Sequence, residues 1–259
     1  MAYPTVDKPY GLLPINLIGG QVYAGATRYM PILSGYAANI FFGDLVKRVA
    51  NGTVEKDTGT TTATPVGVFM GCTFTNPVTK QKVFSQYWPT GTVASDAQAI
   101  VADDPDLLFK VAVVSGTTVM AAAGGSIVGN NAALVQNAGS TNTGDSAVAV
   151  TDFATTNTLP VRVIDIVPES IVTASAVGST SGSSTAVTLA AANPAIKKFM
   201  SVSGTGVPAG TTVAAISGTS LTLSAAADLT SVALTFSGAQ EVIVKWNFGM
   251  HQYETATGV

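Results

Sequence analysis

The chain has 259 residues with 12 Lys and Arg, 15 Asp and Glu and a formal net charge of −3, so that only 10% of its residues are charged. Soluble proteins devote about a quarter of their residues to charge, so this composition predicts a surface that is partly covered by neighbouring subunits. Nucleic-acid binding needs clustered basic residues, so we expect no nucleic-acid partner. The single cysteine, Cys72, excludes an intrachain disulfide and a cysteine-based zinc cluster.

Short segments rich in Val, Ile, Thr and Phe follow one another along the chain, separated by Gly, Asn, Pro and Ser. This spacing predicts an all-β fold, with a β-sandwich or barrel-like main domain. The predicted strands are, in chain order, Gln21–Ala26, Ile40–Val49, Val66–Thr75, Gln81–Tyr87, Gln98–Val101, Leu107–Val114, Asn131–Val135, Ala147–Val150, Pro160–Val167 and Glu241–Trp246. A turn is predicted at Asp103–Leu107, and a short helix capped by Asn193 is predicted near Asn193–Phe199.

A change of composition after Glu169 indicates a second domain. From Ser170 to Ala239 the only charged residues are Lys197, Lys198 and Asp228, and Ser, Thr, Ala, Gly, Val and Leu dominate. We predict a discontinuous main domain, 1–169 and 240–259, with an inserted small β domain, 170–239, of Ig-like or hairpin-repeat type. The strands that flank the insertion are expected to pair as the two arms of one hairpin, because loop tips tolerate insertions.

Within the insertion, Ser184–Asn193 is echoed by Thr219–Asp228. Two copies are too few for a solenoid, so the echo indicates paired hairpin units.

The sequence pattern predicts neither a membrane span nor a targeting signal. The first residues have neither the basic nor the apolar region of a secretion signal. The low-charge stretch from Val111 to Val135 is interrupted by glycines and asparagines that would leave backbone groups unsatisfied in lipid. We therefore expect no membrane partner.

Candidates for catalysis or metal binding are few. His251 is the only histidine, and no second ligand-rich segment accompanies it. The acidic run Asp103-Asp104-Pro105-Asp106 lacks the pattern of a calcium loop and is more typical of a turn. We predict a non-enzymatic protein without catalytic, cofactor-binding or metal-binding residues. A glycan hydrolase that uses Asp103, Asp104 or Asp106 with a distant carboxylate is the less favoured enzymatic alternative.

Both ends of the chain concentrate aromatic, proline and aliphatic residues. This composition is compatible with core burial or with an interface, and the low charge elsewhere favours an interface. The proline-rich N-terminal arm is expected to lie extended across a neighbour. The candidate interface residues are Tyr3, Pro4, Tyr10, Leu12, Leu13 and Ile15 near the N-terminus, and Trp246, Phe248, His251 and Tyr253 near the C-terminus.

The runs Pro9–Gln21, Ile32–Tyr36, Gly43–Lys47, Pro65–Cys72, Gln86–Pro89 and Lys245–Tyr253 resemble virion structural proteins of tailed bacteriophages, most of all head decoration or cement proteins of marine and cyanobacterial phages. The insertion, with Val202–Val213, looks like a small β unit that recurs in phage structural proteins. No catalytic residue comes with the resemblance.

The resemblance implies a protein made in the host bacterial cytoplasm that ends on the capsid surface of the virion. There it would bind the phage major capsid protein, cement adjacent capsid subunits and associate with itself as a homo-oligomer, for which the resemblance implies a trimer. Two alternatives stay open, a tail or other virion component and a host-surface or glycan-binding module that acts through the insertion.

Overall fold

A computed structural model describes residues 6–256 and 258 of the chain, and these residues form an all-β fold, as predicted. Their helical content is two single 3-10 turns, Gly125–Ile127 and Pro168–Ser170, and no helix among them is long and apolar enough to cross a bilayer. In chain order the strands are β1 (Leu13–Leu17), β2 (Arg28–Pro31), β3 (Leu45–Arg48), β4 (Val54–Lys56), β5 (Gly67–Thr75), β6 (Lys82–Ser85), β7 (Gln98–Ala102), β8 (Leu107–Ala112), β9 (Asn131–Asn137), β10 (Ala147–Ala154), β11 (Val161–Ile166), β12 (Ile171–Ser179), β13 (Ser184–Leu189), β14 (Ser201–Ser203), β15 (Val213–Ser217), β16 (Ser220–Ala227), β17 (Val232–Ala239) and β18 (Glu241–Trp246).

Every strand predicted from Ile40 onward overlaps an observed strand, whereas the prediction for Gln21–Ala26 was wrong. That segment contributes one isolated bridge, between Val22 and Asn16. The helix predicted near Asn193 was also wrong. Asn193 instead closes a tight turn, in which its side-chain oxygen accepts a hydrogen bond from the backbone N–H of Ala195 at 3.0 Å, as asparagine commonly does in turns.

The first sheet has the strand order β1-β8-β18-β11-β9-β10 and curls into what we call the main barrel. Two hydrogen bonds bring β10 back to the opposite side, from Gly11 N to Val148 O at 3.1 Å and from Val114 N to Val150 O at 3.0 Å. Alternate residues of its strands fill the interior, where the rings of Phe109 and Trp246 lie 5.0 Å apart. This alternation is the period of two that a one-sided core imposes on a strand.

The second sheet has the order β2-β7-β5-β3-β4, and a parallel bridge between Ile32 and Val54 joins its two outer strands. Its interior is a separate apolar cluster that includes Phe69, Phe74 and Trp88. Strand β6 pairs with the far half of β5 and stands outside this ring of strands.

The third sheet has the order β14-β17-β12-β13-β16-β15, and all of its strands come from residues 171–239. Its outer strands meet through a hydrogen bond from Val202 N to Thr211 O at 2.9 Å and a bridge between Ser201 and Thr212. We call this unit the module. Its echoed segments form β13 and β16, which pair with each other, so the repeat is one of neighbouring strands.

The module joins the main barrel at the β11–β18 hairpin. The predicted pairing of these strands is confirmed, since Val161 lies opposite Trp246 and Ile166 lies opposite Val242. The module therefore begins and ends at one end of the main barrel. A second contact is so close that a Cβ on Gly124 would lie 2.0 Å from Ser201 Oγ, which makes glycine necessary there.

A buried carboxylate, that of Asp44, joins the second sheet to the main barrel. Its side chain accepts hydrogen bonds from Phe41 N at 2.9 Å, Lys56 Nζ at 2.8 Å and Ser146 Oγ at 2.6 Å. Ser146 immediately precedes β10 of the main barrel, whereas Phe41 and Lys56 belong to the segments around β3 and β4. Asp44 is fully buried, so its charge depends on these three donors.

We predict that Asp44→Ala destabilises the fold by about 3–5 kcal/mol, because it leaves the Lys56 ammonium, 13% exposed, without its counter-charge. Urea unfolding measures the change. Asp106→Ala is the matched control, because Asp106 is 58% exposed in its ion pair with Lys245 and should lose less than about 1 kcal/mol. Equal losses in the two variants would contradict the central role of Asp44.

Candidate functional site

The acidic run at Asp103–Asp106 forms the predicted turn, with Pro105 and Asp106 at its centre. Asp103 accepts hydrogen bonds from Tyr253 Oη at 2.6 Å and forms an ion pair with Arg28 Nε at 2.9 Å. Asp104 accepts from the backbone N–H of Asp106 at 2.8 Å, and Asp106 pairs with Lys245 at 3.0 Å. These carboxylates are thus engaged in structural contacts. Over residues 6–256 and 258, no group of three His, Cys, Asp or Glu side chains is placed to hold a metal ion.

His251 lies fully buried beneath the C-terminal turn. Its Nδ1 accepts a hydrogen bond from the backbone N–H of Tyr253 at 3.2 Å, and its Nε2 has no hydrogen-bond partner of ordinary geometry. Burial lowers the pKa of His251, against smaller raising effects of the Val66 backbone and of Glu254, Asp103 and Asp104. The ring is therefore a neutral part of the core, and its predicted place at an interface does not hold in this conformation.

Trp246 and Leu12, two further candidate interface residues, are also buried, at 2% and 0% exposure. Both belong to the apolar interior of the main barrel. The aromatic and aliphatic composition that indicated an interface serves the core at these positions, because alternate residues of β18 and the residue before β1 point inward.

The N-terminal segment is attached to its own chain from Val6 onward, and the predicted Tyr3 and Pro4 contacts lie outside the described residues. The backbone of Val6 exchanges two hydrogen bonds with the Gln240 side chain, at 3.1 and 3.3 Å. Tyr10 donates its hydroxyl to Glu241, whose carboxylate also pairs with Lys110 at 3.3 Å. Burial, followed by the bond to Glu241, raises the pKa of Tyr10.

Leu13 and Ile15 are half-buried in β1, which pairs with β8. Pro14 is tolerated because β1 is the first strand in the sheet order and the register shifts between Pro14 and Asn16. The described part of the predicted extended arm is thus attached to the main barrel, by side-chain contacts at Val6 and Tyr10 and as strand β1 from Leu13 onward.

Exposed apolar side chains follow the ends of β1 and β18, at the end of the main barrel opposite the module. They are Ile18 at 49%, Val22 at 77%, Phe248 at 86% and Tyr253 at 47% exposure, and we call them the base surface. Strands β1 and β18 both pair with β8 and both end beside its first residues, Leu107 and Leu108. Because paired strands lie about 4.8 Å apart, the segments that follow β1 and β18 start about 10 Å from each other.

Hydrogen bonds hold the base surface in place. Ile18 N donates to Asp106 O at 3.0 Å, and the Asn247 side chain donates to the carbonyls of Asn157 and Leu159 at 2.8 and 2.9 Å. Phe248 is therefore presented from a fixed turn. Sequence reasoning identified Phe248 and Tyr253 but missed Ile18 and Val22, although apolar residues on both sides of Gly19-Gly20 indicate an apolar hairpin tip.

Two shallow clefts flank Met120 where the main barrel meets the module. One, of about 400 Å³, is lined by Ser115, Val119 and residues 196–198 and 214–216. The other, of about 380 Å³, is lined by Val6, Asp7, Val172, Lys197 and Gln240 among others. Lys197 lines both clefts, and neither cleft brings a carboxylate pair or a histidine next to a nucleophile.

We predict that the stability of the protein falls as the pH drops below the ordinary histidine pKa of about 6.5, and that His251 causes part of this fall. Because burial lowers the pKa of His251 in the folded state, the unfolded chain takes up the proton first, and folding stability is lost from there towards lower pH. His251→Asn keeps an acceptor for Tyr253 N and cannot titrate. Urea midpoints between pH 7.5 and 5.5 should fall less steeply for this variant, and parallel slopes would contradict the assignment.

Comparisons of the chain with protein-family models, with curated proteins and with solved structures find no match. The base surface and the module are therefore described by their geometry alone, and the chain is assigned to no family.

Proposed function

We propose that this chain is a non-enzymatic structural protein of a phage virion, which binds the outer surface of the capsid and cements adjacent capsid subunits. Two features support the proposal, the resemblance of the main-domain sequence to virion proteins and the sparse charge of a chain whose accessible surface is 11,654 Å². A surface with few charges and with side chains such as Phe248 almost fully exposed is typical of a protein that is covered in its assembly.

The observation that carries the proposal is the placement of the base surface and the module at opposite ends of the β11–β18 hairpin. The apolar base would rest on the major capsid protein, and the module would project outward. The outer face of the module carries cross-strand hydroxyl pairs such as Thr173 with Ser237 and Ser175 with Thr235. Hydroxyls bind water without charge, so this face suits solvent.

The proposed mechanism is stabilisation by binding. A protein that binds only the expanded capsid lattice stabilises that lattice by mass action. Many copies on one shell gain avidity, so each contact can be weak. A trimer at a three-fold position of the lattice would engage several capsid subunits at once.

We predict that Phe248→Ser weakens attachment to expanded, undecorated capsid shells by about 10- to 100-fold, since burial of a Phe side chain contributes roughly 1.5–3 kcal/mol. Co-sedimentation of purified protein with shells measures the affinity. Val177→Ser is the matched control, because Val177 is an exposed apolar residue of the module, at 40% exposure, and its loss should leave attachment unchanged.

Two outcomes would contradict the proposal. A folded Phe248→Ser protein that decorates shells as well as the wild type would exclude the base surface as the contact. Attachment of labelled protein to tails, and none to heads, would favour the alternative of a tail component.

Truncation of the N-terminus is informative only for residues 1–5, because residues 6–17 hold the fold together.

The host-surface or glycan-binding alternative is favoured by one feature, the exposed hydroxyl rows of the module. It predicts that the full chain binds host cells or their surface polysaccharide, and that replacement of Thr173 and Ser175 by alanine abolishes this binding without affecting capsid attachment. Capsid attachment without host binding would support cementing alone.

A further inference from the structure

Strand β6 leaves one edge of the second sheet open. The outer strands of the three sheets are met by other segments, through contacts such as Gly11 with Val148, Ile32 with Val54 and Ser201 with Thr212. Strand β6 pairs with β5 on one side, and within the described residues no strand pairs with its other side. A free strand edge is a template for pairing with another chain.

The register of the β5–β6 hairpin shows which backbone groups face outward. Asn76 N donates to Gln81 O at 2.9 Å, so these two residues form a hydrogen-bonded pair. Hydrogen-bonded pairs alternate along an antiparallel ladder, so Phe74 with Val83 is the next one, and the backbone groups of Lys82 and Phe84 point away from β5. The geometry of Thr75, which lies opposite Lys82, is consistent with this register, because the Thr75 N–H donates to Asp96 on the side of β5 away from β6.

The outer face of this edge carries one large apolar side chain, where solvent would favour a polar residue. Val83 packs inward against the core of the second sheet, whereas Phe84 is 74% exposed on the outer face. Lys82 lies on the same face as Phe84, two residues away, and pairs with Asp96 at 2.8 Å. The edge thus offers two outward N–H groups, two outward carbonyls and one aromatic ring.

We propose that two copies of this chain pair through β6, antiparallel and related by a two-fold axis at Val83. In that register Lys82 of each copy lies opposite Phe84 of the other, which is the hydrogen-bonded position for the outward groups of both residues. The outward N–H and C=O groups of Lys82 and Phe84 in each copy are therefore all hydrogen-bonded to the other copy. The same register sets each Lys82 side chain opposite the Phe84 ring of the other copy, so that its methylene groups pack on the ring while its ammonium keeps the ion pair with Asp96.

Charge complementarity at the ends of the paired strands supports a second copy as the occupant. The register directs Lys80 of one copy towards Gln86 of the other. Gln86 holds the carboxylate of Asp145 at 2.6 Å, and neither Lys80 nor Asp145 has an ion-pair partner among the described residues. Lys80 also has a positive φ of 59°, a conformation that costs a lysine free energy and that glycine or asparagine would adopt more readily.

This contact does not depend on capsid binding, because it uses a different surface from the base surface. It is two-fold and short, so a weak dimer in solution is expected, with a gain in occupancy where many copies are held close together. Failure of capsid attachment would leave the dimer intact, and failure of the dimer would leave capsid attachment intact.

Disulfide trapping tests the register. In a Cys72→Ala background, which removes the only native thiol, Val83→Cys places the two thiols at the non-hydrogen-bonded pair on the axis, where Cα atoms lie about 4.5 Å apart and a disulfide fits. Gln81→Cys is the matched control, because its two copies would lie about 14 Å apart. Gln81 is also more exposed than Val83, so random collisions would link it more readily.

We expect mild oxidation to give at least about five-fold more linked dimer with Val83→Cys than with Gln81→Cys, because disulfides require Cα atoms within about 7 Å. Adding Phe84→Pro should abolish the link, since it removes an outward N–H that β5 does not use, and an unchanged melting temperature would show that the hairpin persists. The proposal is wrong if Val83→Cys stays monomeric, if Gln81→Cys links as readily, or if the link survives Phe84→Pro in a folded protein.

Discussion

The buried carboxylate of Asp44 is the interaction on which the arrangement of the main barrel and the second sheet depends. It takes donors from both sides of the boundary, Ser146 from the main barrel and Lys56 from the second sheet. The backbones meet closely at the same place, because a Cβ on Gly11 would lie 2.8 Å from Gly43 O, and both glycines have a φ of +89°. A fully buried carboxylate makes the boundary specific, since other placements of the two units would leave it without its donors.

The ion pairs within the chain affect how much free charge its surface carries. Several of the few charged residues are used within the chain, in the pairs of Asp44 with Lys56, Asp103 with Arg28, Glu241 with Lys110 and Asp106 with Lys245. The outer surface therefore carries even less free charge than the composition indicates. On the module, exposed hydroxyl groups interact with water in place of charged groups. The base surface and the β6 edge instead present aromatic side chains. A neighbour bound at either of these two surfaces would therefore remove the most apolar area from water.

The three surfaces lie on different parts of the molecule. The base surface follows the ends of β1 and β18, the module leaves from the opposite end of the β11–β18 hairpin, and the open edge belongs to the second sheet. A chain with separate surfaces for a lattice, for a second copy and for solvent can form a connected layer, because each copy then links two kinds of neighbour. This separation unites the proposed cementing role with the proposed two-fold contact.

The sequence by itself determined the all-β class, the positions of nine of the eighteen strands in the described residues, the β11–β18 pairing and the turn within Asp103–Leu107, because hydrophobic alternation and turn residues act locally. It could not decide which of the apolar and aromatic residues near the two ends of the chain face inward. Leu12, Trp246 and His251 became core while Phe248 stayed exposed, since only the closure of the main barrel sets which side of each strand is inside. The proline-rich segment predicted as an extended arm contributes Leu13–Leu17 as β1, because these residues pair with the edge of β8. Asp44 likewise carried no local signal, as its donors Lys56 and Ser146 are distant in sequence and meet only in the tertiary structure.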